Sequence, residues 1–293
     1  MAADRLTRYA RLPRAYHDRT LLHSTVDAFG RAHWLLRGSA EPDGPYDAVA
    51  VTIEDGRAQE THLSAVRPHH PLIDALPDGG FVLADIRSKA GDDQVQVFDA
   101  LGRPSWHFRV GDGIEHLLAD ESGDLWVGHF DEGVLGDRLS EAGVRRWSST
   151  GTPLWAYQST AGADSILDCY ALNVDRRATW VYPYTGFPLL EVRDGRVVRV
   201  RTTPVGYAHG VVVHGERVAF FGGSRDTQDR LVTGTLTETA VEPGAETRLT
   251  HPDGTVLGRR RVVCRGSRLY VQPEPFTEWL LLDIGNGGDI GIV

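Results

Sequence analysis

His70, Glu115, His116, Asp168 and His209 stand where polar segments give way to apolar, strand-like runs, in four separate stretches of the chain. Imidazole and carboxylate donors brought together suit a divalent metal ion, Zn²⁺, Mn²⁺, Mg²⁺ or Ca²⁺, with His70, Glu115, Asp168 and His209 as its ligands. The same mixture suits proton transfer near neutrality, with His116 and His209 as catalytic acid or base. A bound ion would polarise a carbonyl while a histidine or glutamate moved the proton, the chemistry of a metal-assisted hydrolase or lyase. The plainer expectation is that these groups are solvated in loops or bonded to channel water.

A second group could grip a ligand without reacting with it. Gly128-His-Phe-Asp-Glu-Gly133 opens the longest loop and supplies His129 and Asp131. Tyr182, Tyr184, Tyr207, Trp155 and Tyr157 offer aromatic surface for a small molecule, sugar or peptide. The competing expectations are a solvated insertion at 128–133 and core packing for the tryptophans. No Gly-x-Ser-x-Gly elbow and no Cys-x-x-Cys pair occurs, so covalent nucleophilic catalysis has no support in the sequence.

These residues need a scaffold that carries them to one place. In the window 114–128 an apolar run is followed by a polar turn and then by Leu125-Trp126-Val127. Related windows cover 72–84 and 211–221, with weaker copies at 22–36, 167–182 and 262–271. Their second strands align on Trp34, Val82, Trp126, Trp180, Ala219 and Tyr270, a period of roughly 40–50 residues. Further hairpins turn at Asp55-Gly56, Ala100-Leu101-Gly102, Ser149-Thr150-Gly151 and Asp194-Gly195. Asp-Gly favours tight hairpins because both residues tolerate positive φ. Two hairpins per repeat make a four-stranded antiparallel blade, and no long stretch shows helical periodicity.

The expectation is an all-β chain, a six-bladed β-propeller in a single domain, with blades at about 21–66, 67–111, 112–160, 161–205, 206–257 and 258–285. Five or seven blades are the alternative counts. Because the last stretch holds only three strands, residues 5–12 are expected beside 279–283 as the outermost strand. That pairing would close the ring and remove exposed strand edges. The Gly-rich stretch 285–291 reads as a frayed end. On such a ring, loops entering inner strands share a face with loops joining second to third strands. That face would carry the candidates named above, while the opposite face carries compact turns. Loops on a rigid scaffold are the usual place for function, so the site is expected there.

The segment Asp120-Glu-Ser-Gly-Asp-Leu-Trp-Val127, and less closely Pro77-Asp-Gly-Gly-Phe-Val82, resembles blades of the NHL, gluconolactonase-like and streptogramin-lyase-like propellers. The resemblance lies at the level of the blade. The Trp-Asp dipeptide that marks WD-repeat blades is absent. Gluconolactonase-like propellers hold their metal with a glutamate, asparagines and an aspartate, whereas this chain has only Asn173 and Asn286, neither at an inner-strand entry. Streptogramin lyases use histidines and a glutamate with Mg²⁺ in late blades, which here leaves His209 with Glu274 or Glu278.

The formal charge of −9 argues against a nucleic-acid footprint. The basic cluster Arg259-Arg260-Arg261 is too short to outweigh it, and Lys89 is the only lysine. Cys169 and Cys264 lie in apolar runs, as buried free thiols do in a reducing compartment. Residues 1–19 lack a signal-length apolar stretch and nothing reaches the length of a membrane span, so a cytoplasmic protein with no membrane partner is expected. Three readings follow: a propeller binding a small molecule or peptide at its loop-rich face, the metal-assisted enzyme, and a scaffold for protein partners on the blade rims.

Overall fold

The computed structural model describes residues 3–40, 44–89 and 91–285. It begins with β1 (Ala3–Arg5) and β2 (Thr7–Arg11), followed by a 3-10 turn at Arg14–Tyr16. The chain divides into two compact units, one of residues 11–158 with 165–169, the other of 1–10 with 159–164 and 170–293.

In the first unit, sheets follow one another along the chain. β3 (Leu21–Val26), β4 (Ala32–Ala40), β5 (Tyr46–Glu54) and β6 (Arg57–Val66) pair antiparallel in sequence order. So do β7 (Pro71–Ala75), β8 (Phe81–Asp85), β9 (Val95–Phe98) and β10 (Pro104–Phe108). The next such sheet is β11 (Ile114–Ala119), β12 (Leu125–His129), β13 (Val144–Trp147) and β14 (Pro153–Ala156). A short helix, α1 (Asp131–Gly136), lies between β12 and β13, where the sequence pattern shows only a loop.

Alternation along a strand explains how these sheets stack. Ile73, Ala75, Phe81 and Leu83 face Leu35, Ala48 and Ala50 of the preceding sheet. Their neighbours Leu72, Val82 and Ala84 point the other way, onto Ile114, Leu117 and Val127 of the following sheet. Strands buried on both faces read as continuous apolar runs rather than as an alternating pattern. Outer strands β10 and β14, by contrast, contain no buried residue. Asp74, fully buried, ties two sheets together by accepting the Ala75 N–H at 3.0 Å and the Ala119 N–H at 2.6 Å. A buried carboxylate bonded in this way avoids the cost of an unsatisfied polar group.

In the second unit, which takes β15 (Asp168–Val174) from Tyr170 onward, that strand forms one run with β16 (Thr179–Tyr184), β17 (Leu189–Arg193) and β18 (Arg196–Arg201). β19 (Gly210–His214), β20 (Arg217–Phe221), β21 (Arg230–Leu236) and β22 (Val241–Thr250) form the next. β23 (Arg260–Arg265), β24 (Arg268–Pro273) and β25 (Glu278–Asp283) are completed by β2, outermost beside β25, while β1 lies parallel to β22. Two clusters pack these runs face to face, one joining Trp180 and Leu189 to Val211 and Phe220, the other joining Phe221 and Leu249 to Leu269 and Leu280. Asn173 stitches the inner strands. Its amide donates to Val211 O at 2.9 Å and Gly266 O at 2.8 Å, and its oxygen accepts the Gly266 N–H at 2.7 Å.

The aligned positions Trp34, Val82, Trp126, Trp180, Ala219 and Tyr270 fall on β4, β8, β12, β16, β20 and β24, and all are buried. Among the described residues no helix is long and apolar enough to cross a membrane. Of the Gly-rich stretch 285–291, only Gly285 lies within the described residues, and Asn286 lies outside them.

Candidate functional site

Five rings gather in the second unit from three places in the chain. Tyr170 is on β15, Tyr184 ends β16, Phe187 lies in the β16–β17 loop, and Tyr207 and His209 lie in the segment leading into β19. Tyr170 is the hub. His209 stacks on it with centroids 5.4 Å apart and planes 18° from parallel, Phe187 meets it edge-on at 5.1 Å, and Tyr207 and Tyr184 stand at 6.2 and 6.3 Å. Phe187 also touches Tyr207 at 4.8 Å and Tyr184 at 5.6 Å.

A buried layer beneath holds this group. The Tyr182 ring stacks under Phe187 at 5.4 Å, and its hydroxyl donates to Val205 O at 2.5 Å. Thr203 Oγ1 shares its proton between Phe187 O at 3.1 Å and Val205 O at 3.0 Å. Phe187 and Tyr207 both sit at positive φ, 51° and 61°. Bulky residues in that region cost roughly 1–3 kcal/mol, and they persist only where surrounding contacts fix them. Above the buried layer the surface is open: Tyr184 is 40% and Tyr207 48% exposed, although exposed aromatic area is unfavourable in water.

No protein-family model matches the sequence, and no curated protein matches it. The fold does recur in solved structures. Kluyveromyces lactis Hsv2, a β-propeller, aligns over 92% of this chain and 76% of its own with a TM-score of 0.53 at 9% identity. The chain has a β-propeller-like fold. Apo AztD from Citrobacter koseri aligns over 90% of this chain and 82% of its own, with a TM-score of 0.45 at 12% identity. At such identities the likeness concerns the scaffold, and function must be argued from the site.

In this propeller-like chain, three of the residues singled out by sequence, Tyr184, Tyr207 and His209, come together in the aromatic group. Its other members, Tyr170 and Phe187, were hidden in the sequence. Tyr170 belongs to an apolar inner-strand run, and Phe187 follows a turn glycine with no pattern around it. The signal that could have found them is the density of aromatic residues at 170–187.

The first unit places the remaining candidates differently. A register shift in β11 between Ile114 and His116 marks a bulge at Glu115, which sends Ile114 into the core and leaves Glu115 exposed and His116 half-buried. His116 Nε2 lies 3.0 Å from the Cys169 carbonyl oxygen. Asp168 is half-buried, and burial together with the negative charges of Glu115 and Asp131 pushes its carboxyl up to about 6. These three carboxylates therefore share one neighbourhood. His70 is exposed, and its backbone N–H, like that of His69, donates to Asp85. Among the described residues no group of three or more His, Cys, Asp and Glu is placed to hold one ion.

His129 differs from the expectation of a ligand-gripping ring. It is fully buried, and its Nδ1–H donates to Asp112 O at 2.9 Å. Burial, helped by the positive charge of Arg145, holds the imidazole down to about 4. The segment that follows it is packed rather than free: Phe130 N–H donates to Gly113 O at 2.9 Å, and a Cβ on Gly133 would lie 2.2 Å from Asp112 O. Asp131 remains exposed at the start of α1. Trp155 lies against Trp126 at 5.5 Å and Tyr157 is buried, so both serve packing. Of the late glutamates, Glu278 lies 3.6 Å from Arg8, and Glu274 is exposed.

Proposed function

We propose that this chain is a ligand-binding β-propeller that takes a small planar group on Tyr170, Tyr184, Phe187, Tyr207 and His209, with no catalytic step of its own. The observation that carries the reading is this cluster of five rings, drawn from three places in the chain, with two aromatic residues at positive φ and two nearly half-exposed. A ring entering such a group gains offset or edge-on contacts, which are worth about 0.5–1.5 kcal/mol each beyond the area they bury. In this reading the four-stranded runs are six blades of one ring, and β2 completes the last of them. The strand order beside β25 supports that closure. The blade-level kinship with NHL and gluconolactonase-like propellers belongs to the same proposal, supported by the Asp120–Val127 hairpin.

The test is titration with 2-naphthamide, a neutral planar probe, followed by ligand-observed NMR and calorimetry. Tyr207→Ala removes an exposed ring and should leave the fold intact while weakening binding about tenfold, as the loss of one stacking partner does. Failure of the probe to bind, or equal binding to the Tyr207→Ala variant, would sink the reading.

A further inference from the structure

His209 belongs to two neighbourhoods at once. Besides stacking on Tyr170, it borders a cleft of about 260 Å³ lined also by Gly222, Gln228, Gly258, Arg259 and Arg260. Gly222 has φ of 102°, and a Cβ there would lie 3.1 Å from His209 N and 3.3 Å from its ring, so glycine is needed where the two segments meet.

The two arginines of this cleft are not equivalent. Arg260 is committed: it pairs with Asp229 at 2.6 Å, donates to Gly258 O at 2.6 Å and to Gln228 O, and lies over Phe221. Arg259 is exposed, with its guanidinium 5.8 Å from the Phe276 ring, and among the described residues no carboxylate pairs with it. An adjoining cleft of about 200 Å³ shares Gln228, Gly258 and Arg260 and adds Arg225 and Arg248. Its carboxylates are Asp226 and Asp229, and Asp229 is already used by Arg260. The excess of positive charge here runs against a chain whose net charge is −9. A cleft in which one sign of charge predominates concentrates counter-ions.

Resting on the binding reading above, we infer that the ligand is a planar anion: its ring lies on the Tyr170, Tyr184, Tyr207 and His209 group, and its carboxylate or phosphate sits at Arg259 in the 260 Å³ cleft that His209 borders. A guanidinium offers two parallel N–H donors to either acid, and Gln228 supplies a further polar group at the cleft wall. Burial, and to a lesser degree the charge of Arg259, holds the neighbouring Arg261 down to about 10.

Binding of 2-naphthoate and 2-naphthyl phosphate should be compared with that of the neutral isostere 2-naphthamide in wild type, Arg259→Gln and Arg259→Lys. The better of the two acids is expected to bind at least tenfold tighter than the amide, and which acid wins tells carboxylate from phosphate. Arg259→Gln should bring that ratio close to one without weakening the amide, and Arg259→Lys should keep part of it. Raising the salt from about 50 to about 500 mM should shrink the advantage several-fold, because the contact is at the surface. Equal binding of acid and amide, or a ratio untouched by Arg259→Gln, overturns the anion inference while the aromatic site stands. If the amide also fails to bind, the site itself has failed, and this inference with it.

Discussion

His129 and Asp168 pull the pH dependence of stability in opposite directions. Between its ordinary value near 6.5 and about 4, buried His129 stays neutral while the unfolded chain takes up a proton, so acidification favours unfolding. At about 1.4 kcal/mol per pH unit the full window is worth about 3 kcal/mol. Asp168, raised by burial and by Glu115 and Asp131, is protonated in the folded chain from about 6 downward, whereas the unfolded carboxyl waits until 3.8. Acidification through that window therefore favours folding, by about 1 kcal/mol once solvent screening of this half-exposed group is allowed for. Asp27 stays charged throughout: burial works to raise it, but the hydrogen bond and charge of His33 and the charge of Arg31 bring it to about 2. Urea unfolding between pH 6.5 and 4 should show a steeper acid loss in Asp168→Asn than in wild type, and in His129→Leu a level or rising stability. Parallel profiles for all three proteins would refute both assignments. The sequence showed the chemical type of these groups but not their burial. His129 reads as a loop residue because Gly128 and Phe130 on either side of it carry no alternating pattern, and Glu115 is ambiguous because a bulge changes facing by one residue.

Turns were the most legible elements, because their chemistry is local. Asp55-Gly56 and Asp194-Gly195 both adopt positive φ at both residues, 48° and 74° in the first and 48° and 67° in the second, as a tight hairpin of this type demands. A further signal passed unread. Asp27, Asp99 and Asp120 each begin a five-residue turn with glycine fourth, and each carboxylate accepts the N–H groups two and four residues on. Helix α1 was illegible because its N-cap, Phe130, makes no side-chain cap and its support is tertiary, through Gly113 and Gly133. Turn glycines also differ in what surrounds them, which gives a test. A Cβ at Gly56 meets nothing within 4 Å, so Gly56→Ala should cost only about 1 kcal/mol of backbone strain. A Cβ at Gly102, with φ of 74°, would lie 1.8 Å from the His62 carbonyl oxygen of β6, and Ser64 N–H already donates to Gly102 O. Gly102→Ala should therefore cost at least about 3 kcal/mol by chemical denaturation, because backbone on both sides must move. Similar losses in the two variants would show that the turn of β9–β10 is not held against β6 as described.

At the scale of the molecule, the repeat placed every second strand but could not show how the chain's beginning is shared out. Residues 5–12 read as one strand destined for one sheet. Thr7–Arg11 of that segment does lie beside β25, as β2, whereas β1 just ahead of it takes a second sheet and runs parallel to β22, and Leu6 between them is buried among Val212, Leu249 and Leu280. A single strand pattern cannot reveal this division, because the break is made by partners some 240 to 270 residues away: Thr247 Oγ1 donates to Asp4, and Thr7 Oγ1 donates to Leu281 O at 3.1 Å. Contacts this distant are slow to form but stabilise as well as local ones once made. The charged residues contribute little here, since Arg8 is largely exposed in its pair with Glu278. Hydrophobic burial and backbone pairing must do the holding. Leu6→Ala should accordingly lose about 2–4 kcal/mol, the cost of a cavity at a buried leucine. Deleting residues 1–11 should lower the melting temperature further and leave the edges of β22 and β25 open to other chains, seen as concentration-dependent association by light scattering. A synthetic peptide of residues 1–12 should restore stability to the deleted protein in proportion to its concentration, because it binds only the folded form. If the deletion melts like the wild type and stays monomeric, β1 and β2 are ornaments on sheets that are already complete.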